Sequence, residues 1–137
     1  MEKKLTTAAL VYAALGLAGG VFYREFTKAL GTTAPTTLSV VHAHYLLLGT
    51  VFFVLLAVVE KVFTLSASRG FSRWLTVYHI GLNVTVAGLL TRGVVQATGT
   101  VLSRGLDGAL SGISGLGHLL LGTALIAVLV LLRRRTA

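Results

Sequence analysis

Apolar positions along this chain do not alternate in twos, nor do they keep to one helical stripe. They run in long uncharged blocks separated by charge, glycine and proline. Four blocks stand out: Leu5 to Tyr23, Leu38 to Val59, Trp74 to Thr91 and Ala109 to Leu132. A helix rising about 1.5 Å per residue needs about 20 largely apolar residues to cross the hydrocarbon of a bilayer, and each block is close to that length. A helix also satisfies its own backbone hydrogen bonds, which lipid cannot do for it. The pattern therefore predicts an all-α fold, a bundle of four transmembrane helices forming a single domain over residues 1–137. Nothing is left over for a soluble domain. The connecting stretches carry the turn residues: Arg24 to Thr37 with Pro35, Glu60 to Arg73 with Ser68-Arg69-Gly70, and Arg92 to Gly108 with four glycines. The first block follows Lys3-Lys4 as a secretion-signal core would. It continues past the roughly 7 to 15 apolar residues of such a core into Gly19-Gly20-Val21-Phe22-Tyr23, with no Ala-x-Ala, and is expected to stay as the first helix.

Composition agrees with the pattern. Charged residues make up 12% and hydrophobic residues 55%, where soluble domains carry about a quarter of their positions charged; the mean hydropathy is +0.87. The formal net charge of +8 is gathered at segment ends and forms no stripe that could follow a phosphate backbone, so nucleic acid is not an expected partner. Lys3, Lys4, Lys61, Arg69, Arg73, Arg133, Arg134 and Arg135 fall on one side of the four-span arrangement, and Arg24, Lys28, Arg92 and Arg104 on the other. Because cytoplasmic loops carry the excess of Lys and Arg, both termini are expected in the cytoplasm. The chain reads as a multi-pass protein of a bacterial or archaeal cell membrane, with lipid as its first partner.

With no cysteine, disulfides, thiolate nucleophiles and iron–sulfur clusters are excluded. No phosphate-binding Gly-x-x-x-x-Gly-Lys-Ser, zinc-protease His-Glu-x-x-His or hydrolase Gly-x-Ser-x-Gly occurs, and no catalytic residue is assigned. Metal chemistry is left to His42, His44, His79 and His118, which lie within the apolar blocks. Ionisable groups there cost insertion energy and mark function by default. Counting from the charged ends, His44 lies 16 residues before Glu60 and His118 lies 15 before Arg133, so the two sit level, about 22 to 24 Å from that boundary. His79, only 6 residues past Arg73, is far from that level. His42 and His44 are two apart and point about 200° from each other, which suits either two sites on opposite faces or one ligand and one hydrogen-bonding residue. Around His118, Ser111, Ser114, Gly115 and Gly122 share a small-residue face. Such a face serves close helix packing or leaves room for the edge of a flat group.

The run Val40-Val41-His42-Ala43-His44-Tyr45-Leu46-Leu47-Leu48-Gly49-Thr50-Val51-Phe52-Phe53 resembles the His-x-His-Tyr helix of heme-copper oxidase catalytic subunits, and is similar to the His-Ala-His helix of nitric-oxide reductases. The resemblance implies that His42 takes the place of the high-spin heme ligand and His44 that of the low-spin ligand. It covers about 14 residues. The chain differs from that family in having four spans rather than about twelve and in lacking the copper-binding histidines, so oxygen reduction by one chain is not expected. As a whole the sequence also resembles a family of small four-helix bacterial membrane proteins known only as a domain of unknown function, a likeness that implies an architecture and no activity.

Taken together, the residues lead to one b-type heme between the second and fourth helices, its iron held by His44 and His118, since neutral imidazole suits iron and bundle cores place ligands on facing helices. The competing reading is two histidines hydrogen-bonded across a helix interface. His42 is a further candidate ligand or a hydrogen-bonding residue. For His79, Asn83 one turn on offers a hydrogen bond, and structure or a proton path is the expectation. Arg92 and Arg104 are candidates for the heme propionates, with lipid phosphate as the alternative partner; Asp107 is placed to pair with Arg104 or to sit at the start of the fourth helix. Electron transfer or the binding or sensing of a diatomic gas is then expected. A small transport protein or a respiratory-complex partner without heme is the alternative. If His44 faces the interior, His42 has to face lipid or a neighbouring subunit, and the three arcs of four helices in the oxidase subunit imply a homotrimer, with a dimer as the other form.

Overall fold

The computed structural model describes residues 1–136. The chain forms four long helices: α1 (Glu2–Ala29), α2 (Leu38–Phe63), α3 (Phe71–Ala97) and α4 (Arg104–Thr136), each long and apolar enough to cross a membrane. All four extend beyond the uncharged blocks of the sequence. Hydrocarbon thickness sets how far an apolar run must go, but the helical hydrogen-bond ladder need not stop there, and it continues through Arg24, Lys28 and Arg92. The glycine-rich third connection accordingly shrinks to residues 98–103.

The helices run alternately up and down, so both termini and the α2–α3 turn share one end. Arg135 Nε donates to Ser68 Oγ at 2.8 Å, and Met1 and Lys4 line one cavity with Ser72 and Thr76. The eight Lys and Arg residues assigned to one side by the sequence gather there. Glu60 organises the turn: its buried carboxylate accepts the Ser66 N–H at 2.8 Å and the Ser66 hydroxyl, while Thr64, in the left-handed region at φ 49°, donates its N–H to the Glu60 carbonyl at 2.8 Å.

Close approach between backbones is what holds α3 to α4. A Cβ added at Gly81 would meet the Leu121 backbone nitrogen at 2.5 Å, and one at Gly117 the Thr85 backbone nitrogen at 2.6 Å. Within lipid there is no hydrophobic drive between helices, so packing at this range supplies the contact. The α1–α2 seam follows the same rule, with Gly16 seated on Leu46 and Gly49 under the Tyr12 ring. At the opposite end Thr37 ties the start of α2 to α3, its N–H donating to Gln96 Oε1 at 2.8 Å and its hydroxyl to the Leu89 carbonyl at 2.7 Å. Between these seams lies an aromatic core in which Phe52 stacks on Tyr78 at 4.2 Å and Phe53 on His79 at 4.6 Å.

One local feature is not written in the apolar pattern. Directly after His44, residues Tyr45–Val51 form a π-helical segment within α2. The wider turn disturbs the regular ladder, and Tyr78 of α3 donates its hydroxyl to the Leu48 carbonyl at 2.8 Å. A buried side chain from a neighbouring helix thus takes up a backbone acceptor inside the segment.

Candidate functional site

His44 on α2 and His118 on α4 meet. Their ring centres are 6.1 Å apart and the rings are nearly perpendicular, at 88°. Each ring is oriented the same way by its own helix: His44 Nδ1 pairs with the Val40 carbonyl at 2.8 Å, and His118 Nδ1 with the Ser114 carbonyl at 2.8 Å. A carbonyl can only accept, so Nδ1 carries a hydrogen in both rings, which leaves Nε2 as the nitrogen through which a metal could be held. Metal-binding histidines are held in this way, the second nitrogen donating to a carbonyl and fixing the tautomer. A metal bonded at about 2 Å to a nitrogen of each ring would set the ring centres about 6 Å apart. Among the described residues no third His, Asp or Glu joins the pair. Two imidazoles alone make a poor cage for a bare ion, which takes three or four protein ligands; the pair would suit a metal that brings other ligands of its own.

The space beside the rings is lined by small and aliphatic groups. Val40, Ala43, His44, Leu47 and Leu48 line a cavity of 240 Å³. On α4 a Cβ at Gly115 or Gly122 would meet nothing within 4 Å, so the face around His118 is open and the ring itself is exposed. Ser114 differs from its neighbours on that face: its side chain points into the α3–α4 seam, where a Cβ on Gly88 would collide with it, and it serves His118 through its carbonyl alone.

His42 is not brought to the pair. It faces α1 of its own chain, where positions Gly19 and Gly20 would place a Cβ 3.9 and 3.7 Å from the His42 Cβ. The expectation was that His42 faces lipid or another subunit if His44 faces the interior; instead the half-buried His42 packs against α1, where two successive glycines make room for it. Its Nδ1 is closed off from solvent and has no hydrogen-bond partner.

Arg92 reaches across to α4, forming an ion pair with the Asp107 carboxylate and donating to Ser111 Oγ at 2.7 Å. Asp107 lies in the first turn of α4 and pairs with Arg92 of α3 instead of Arg104. Arg104 is exposed, and among the described residues it makes no ion pair.

A family profile described as "Protein of unknown function (DUF2871)" matches residues 1–135. The chain belongs to this family. No curated protein and no solved structure matches it. Membership accounts for the likeness of the whole chain to small four-helix membrane proteins and brings no evidence for the likeness of α2 to an oxidase helix, which rests on the residues of α2 themselves.

A second polar group in this family member was only half legible beforehand. His79 Nδ1 and the Tyr12 hydroxyl are 2.6 Å apart. Asn83 donates from Nδ2 to the Tyr12 oxygen at 3.0 Å and to the His79 carbonyl at 2.8 Å, while its Oδ1 accepts the Tyr45 hydroxyl at 3.1 Å. Asn83 thus binds the backbone of His79 and not its ring. Tyr12 and Tyr45 were missed as polar partners because tyrosine in an apolar run reads as packing; the presence of Asn83 in an apolar span was the available signal, since a polar side chain there needs a hydrogen-bond partner.

Proposed function

We propose that this protein is a membrane b-type heme protein in which His44 of α2 and His118 of α4 hold the iron from its two faces. The observation that supports the reading is the facing pair of imidazoles, 6.1 Å between centres, each with Nδ1 engaged by the carbonyl one turn back. Nothing in a helix–helix hydrogen bond calls for both Nε2 atoms to be left free. The open glycines 115 and 122 offer room for a macrocycle beside the rings. Held by both histidines, such a group would supply one-electron transfer; held by one of them, it would supply a site for a diatomic gas. The chain's own part is to set tautomer and ring orientation and to keep the α2 and α4 ligands level. Of the two arginines, Arg104 is the one free to meet a propionate, while Arg92 would have to leave Asp107.

The charge distribution supports an orientation with both termini in the cytoplasm of a bacterial or archaeal cell. It also supports the family member as a multi-pass component of the cell membrane. A homo-oligomer, a trimer by the oxidase likeness or else a dimer, remains part of the proposal. Its support has moved from His42 to α4, where Gly108, Gly112 and Gly115 each have open space in place of a partner helix. That same exposed face favours a second reading, a heme-free partner or transport protein whose α4 seats against another subunit.

The test is an optical spectrum of the protein purified from heme-replete cells, with the complex mass measured in detergent. Soret and alpha bands of a low-spin heme are expected, lost or converted in His44→Ala and in His118→Ala and retained in His79→Ala. A colourless wild type overturns the heme reading in favour of the second one, and equal loss in all three variants overturns the assignment of His44 and His118 as the ligands.

A further inference from the structure

The Tyr12, Asn83, Tyr45 and His79 cluster spans three helices in the aromatic core, and its hydrogen bonds all run one way. Tyr45 donates to Asn83 Oδ1. The Asn83 amide nitrogen can only donate, and it does so to the Tyr12 oxygen. Tyr12, with a lone pair so occupied, directs its single O–H to His79 Nδ1. His79 Nδ1 is therefore the acceptor at the end of the chain, and the ring proton sits on Nε2. The ring also lines a cavity of 260 Å³ with Met1, Lys4, Ser72 and Thr76, at the end that carries both termini. At the other end of the chain, Tyr45 opens the π-helical segment, adjoins His44 and lines a separate apolar cavity of 380 Å³ with Gly19, Val41 and Ala87.

We propose that His79 is a proton-exchange site open to the terminus-bearing end of the bundle, and that Tyr12 and Asn83 transmit its protonation state to Tyr45. When His79 gains a proton, Nδ1 can no longer accept from Tyr12. The Tyr12 O–H must turn away, the Tyr12 oxygen then receives from two donors, and the Asn83 amide and the Tyr45 hydroxyl that depends on it readjust. The bond made is Nδ1–H and the bond broken is one O–H of a hydronium ion from the solution, which leaves as water; since Nε2 already carries a hydrogen, the proton is taken up at Nδ1 as the Tyr12 O–H turns away. The titratable and charged groups facing the ring are the Tyr12 hydroxyl from α1, and the Lys4 ammonium and amino terminus across the cavity. α2 presents the Phe53 ring and, through Asn83, Tyr45. The residues that line the cavity include no carboxylate, so the added charge is met by water and by the reoriented phenol oxygen. Hydrogen bonds linked in series polarise and constrain one another, which is the reason a change at one end is felt at the other.

The proposal goes beyond the heme reading and does not use the His44–His118 pair. The experiment is a pH titration of the full-length protein in lipid nanodiscs, with ¹⁵N in the histidine rings and ¹³C at the tyrosine Cζ positions, followed by NMR. Between about pH 5 and 9, the range in which an imidazole exchanges its proton, the Tyr12 and Tyr45 Cζ resonances are expected to move with the same midpoint as the His79 nitrogens. In Tyr12→Phe, His79 still titrates and Tyr45 no longer follows; in Asn83→Leu the Tyr12 step stays and the Tyr45 step goes. A His79 ring that keeps one protonation state across the range, or a Tyr45 resonance that is flat in wild type or still follows His79 in Tyr12→Phe, overturns the proposal. The wild-type titration alone decides it if a variant does not fold, and a colourless sample leaves these outcomes as informative as a coloured one.

Discussion

Substituting Gly81 with alanine tests whether the α3–α4 seam is what places His118. A Cβ at that position would lie 2.5 Å from the Leu121 nitrogen, 2.8 Å from its Cα and 3.0 Å from the Leu120 carbonyl carbon. All three are backbone atoms of α4, so no rotamer change relieves the clash. Restoring an ordinary non-bonded separation of about 3.5 Å requires the helices to part by about 1 Å, and overpacking of this kind costs about 1–3 kcal/mol. Leu121 is three residues after His118 on the same helix, so His118 moves with it while His44 stays on α2. Ligands must be held to within about 0.5 Å to keep a designed geometry, and the shift exceeds that. The control is Gly105→Ala, on the same helix at its start and away from the histidine pair, where a Cβ meets nothing within 4 Å. Thermal unfolding followed by circular dichroism in detergent should show a midpoint several degrees lower for Gly81→Ala and unchanged for Gly105→Ala, with the low-spin spectrum lost only in the former. Equal midpoints would refute the seam as the determinant of packing. A lowered midpoint with an intact spectrum would refute the link from the seam to the histidine pair.

Other expectations concern single contacts. Tyr78→Phe removes the hydroxyl that serves the Leu48 carbonyl within the π-helical segment and should lower stability by about 1 kcal/mol, with faster amide exchange across Tyr45–Val51 than across the rest of α2; uniform exchange would show that Tyr78 does not hold the segment. Arg92→Met breaks the partly exposed ion pair with Asp107 and is expected to cost no more than about 1 kcal/mol, leaving the optical spectrum as it was; a shifted heme band would place the Arg92 guanidinium at a propionate after all. Reporter fusions after Ala137 and within Thr32 to Thr37 should read opposite sides of the membrane, the carboxyl terminus in the cytoplasm. Identical readings would end the four-span topology.

What the amino-acid order determined by itself is everything that depends on depth along the membrane normal. Uncharged length counts hydrocarbon thickness, so four spans could be read directly, and counting residues from Glu60 and from Arg133 put His44 and His118 at one level before any packing was known. Their rings stand 6.1 Å apart, which a difference in depth would forbid. Rotation about each helix axis is a different matter, because it is decided by the neighbours. The opposite faces of His42 and His44 were clear from a spacing of two, but only the fold shows that Gly19 and Gly20 of α1 receive the His42 ring. Nor could spacing tell that Arg92 crosses to Asp107, that the Ser114 side chain faces Gly88 while its carbonyl serves His118, or that Tyr12, Asn83 and Tyr45 meet beside His79. These contacts join residues up to 71 positions apart. Along a single chain a buried tyrosine looks the same whether it packs or donates a hydrogen bond; the partner that distinguishes the two arrives only when the helices come together.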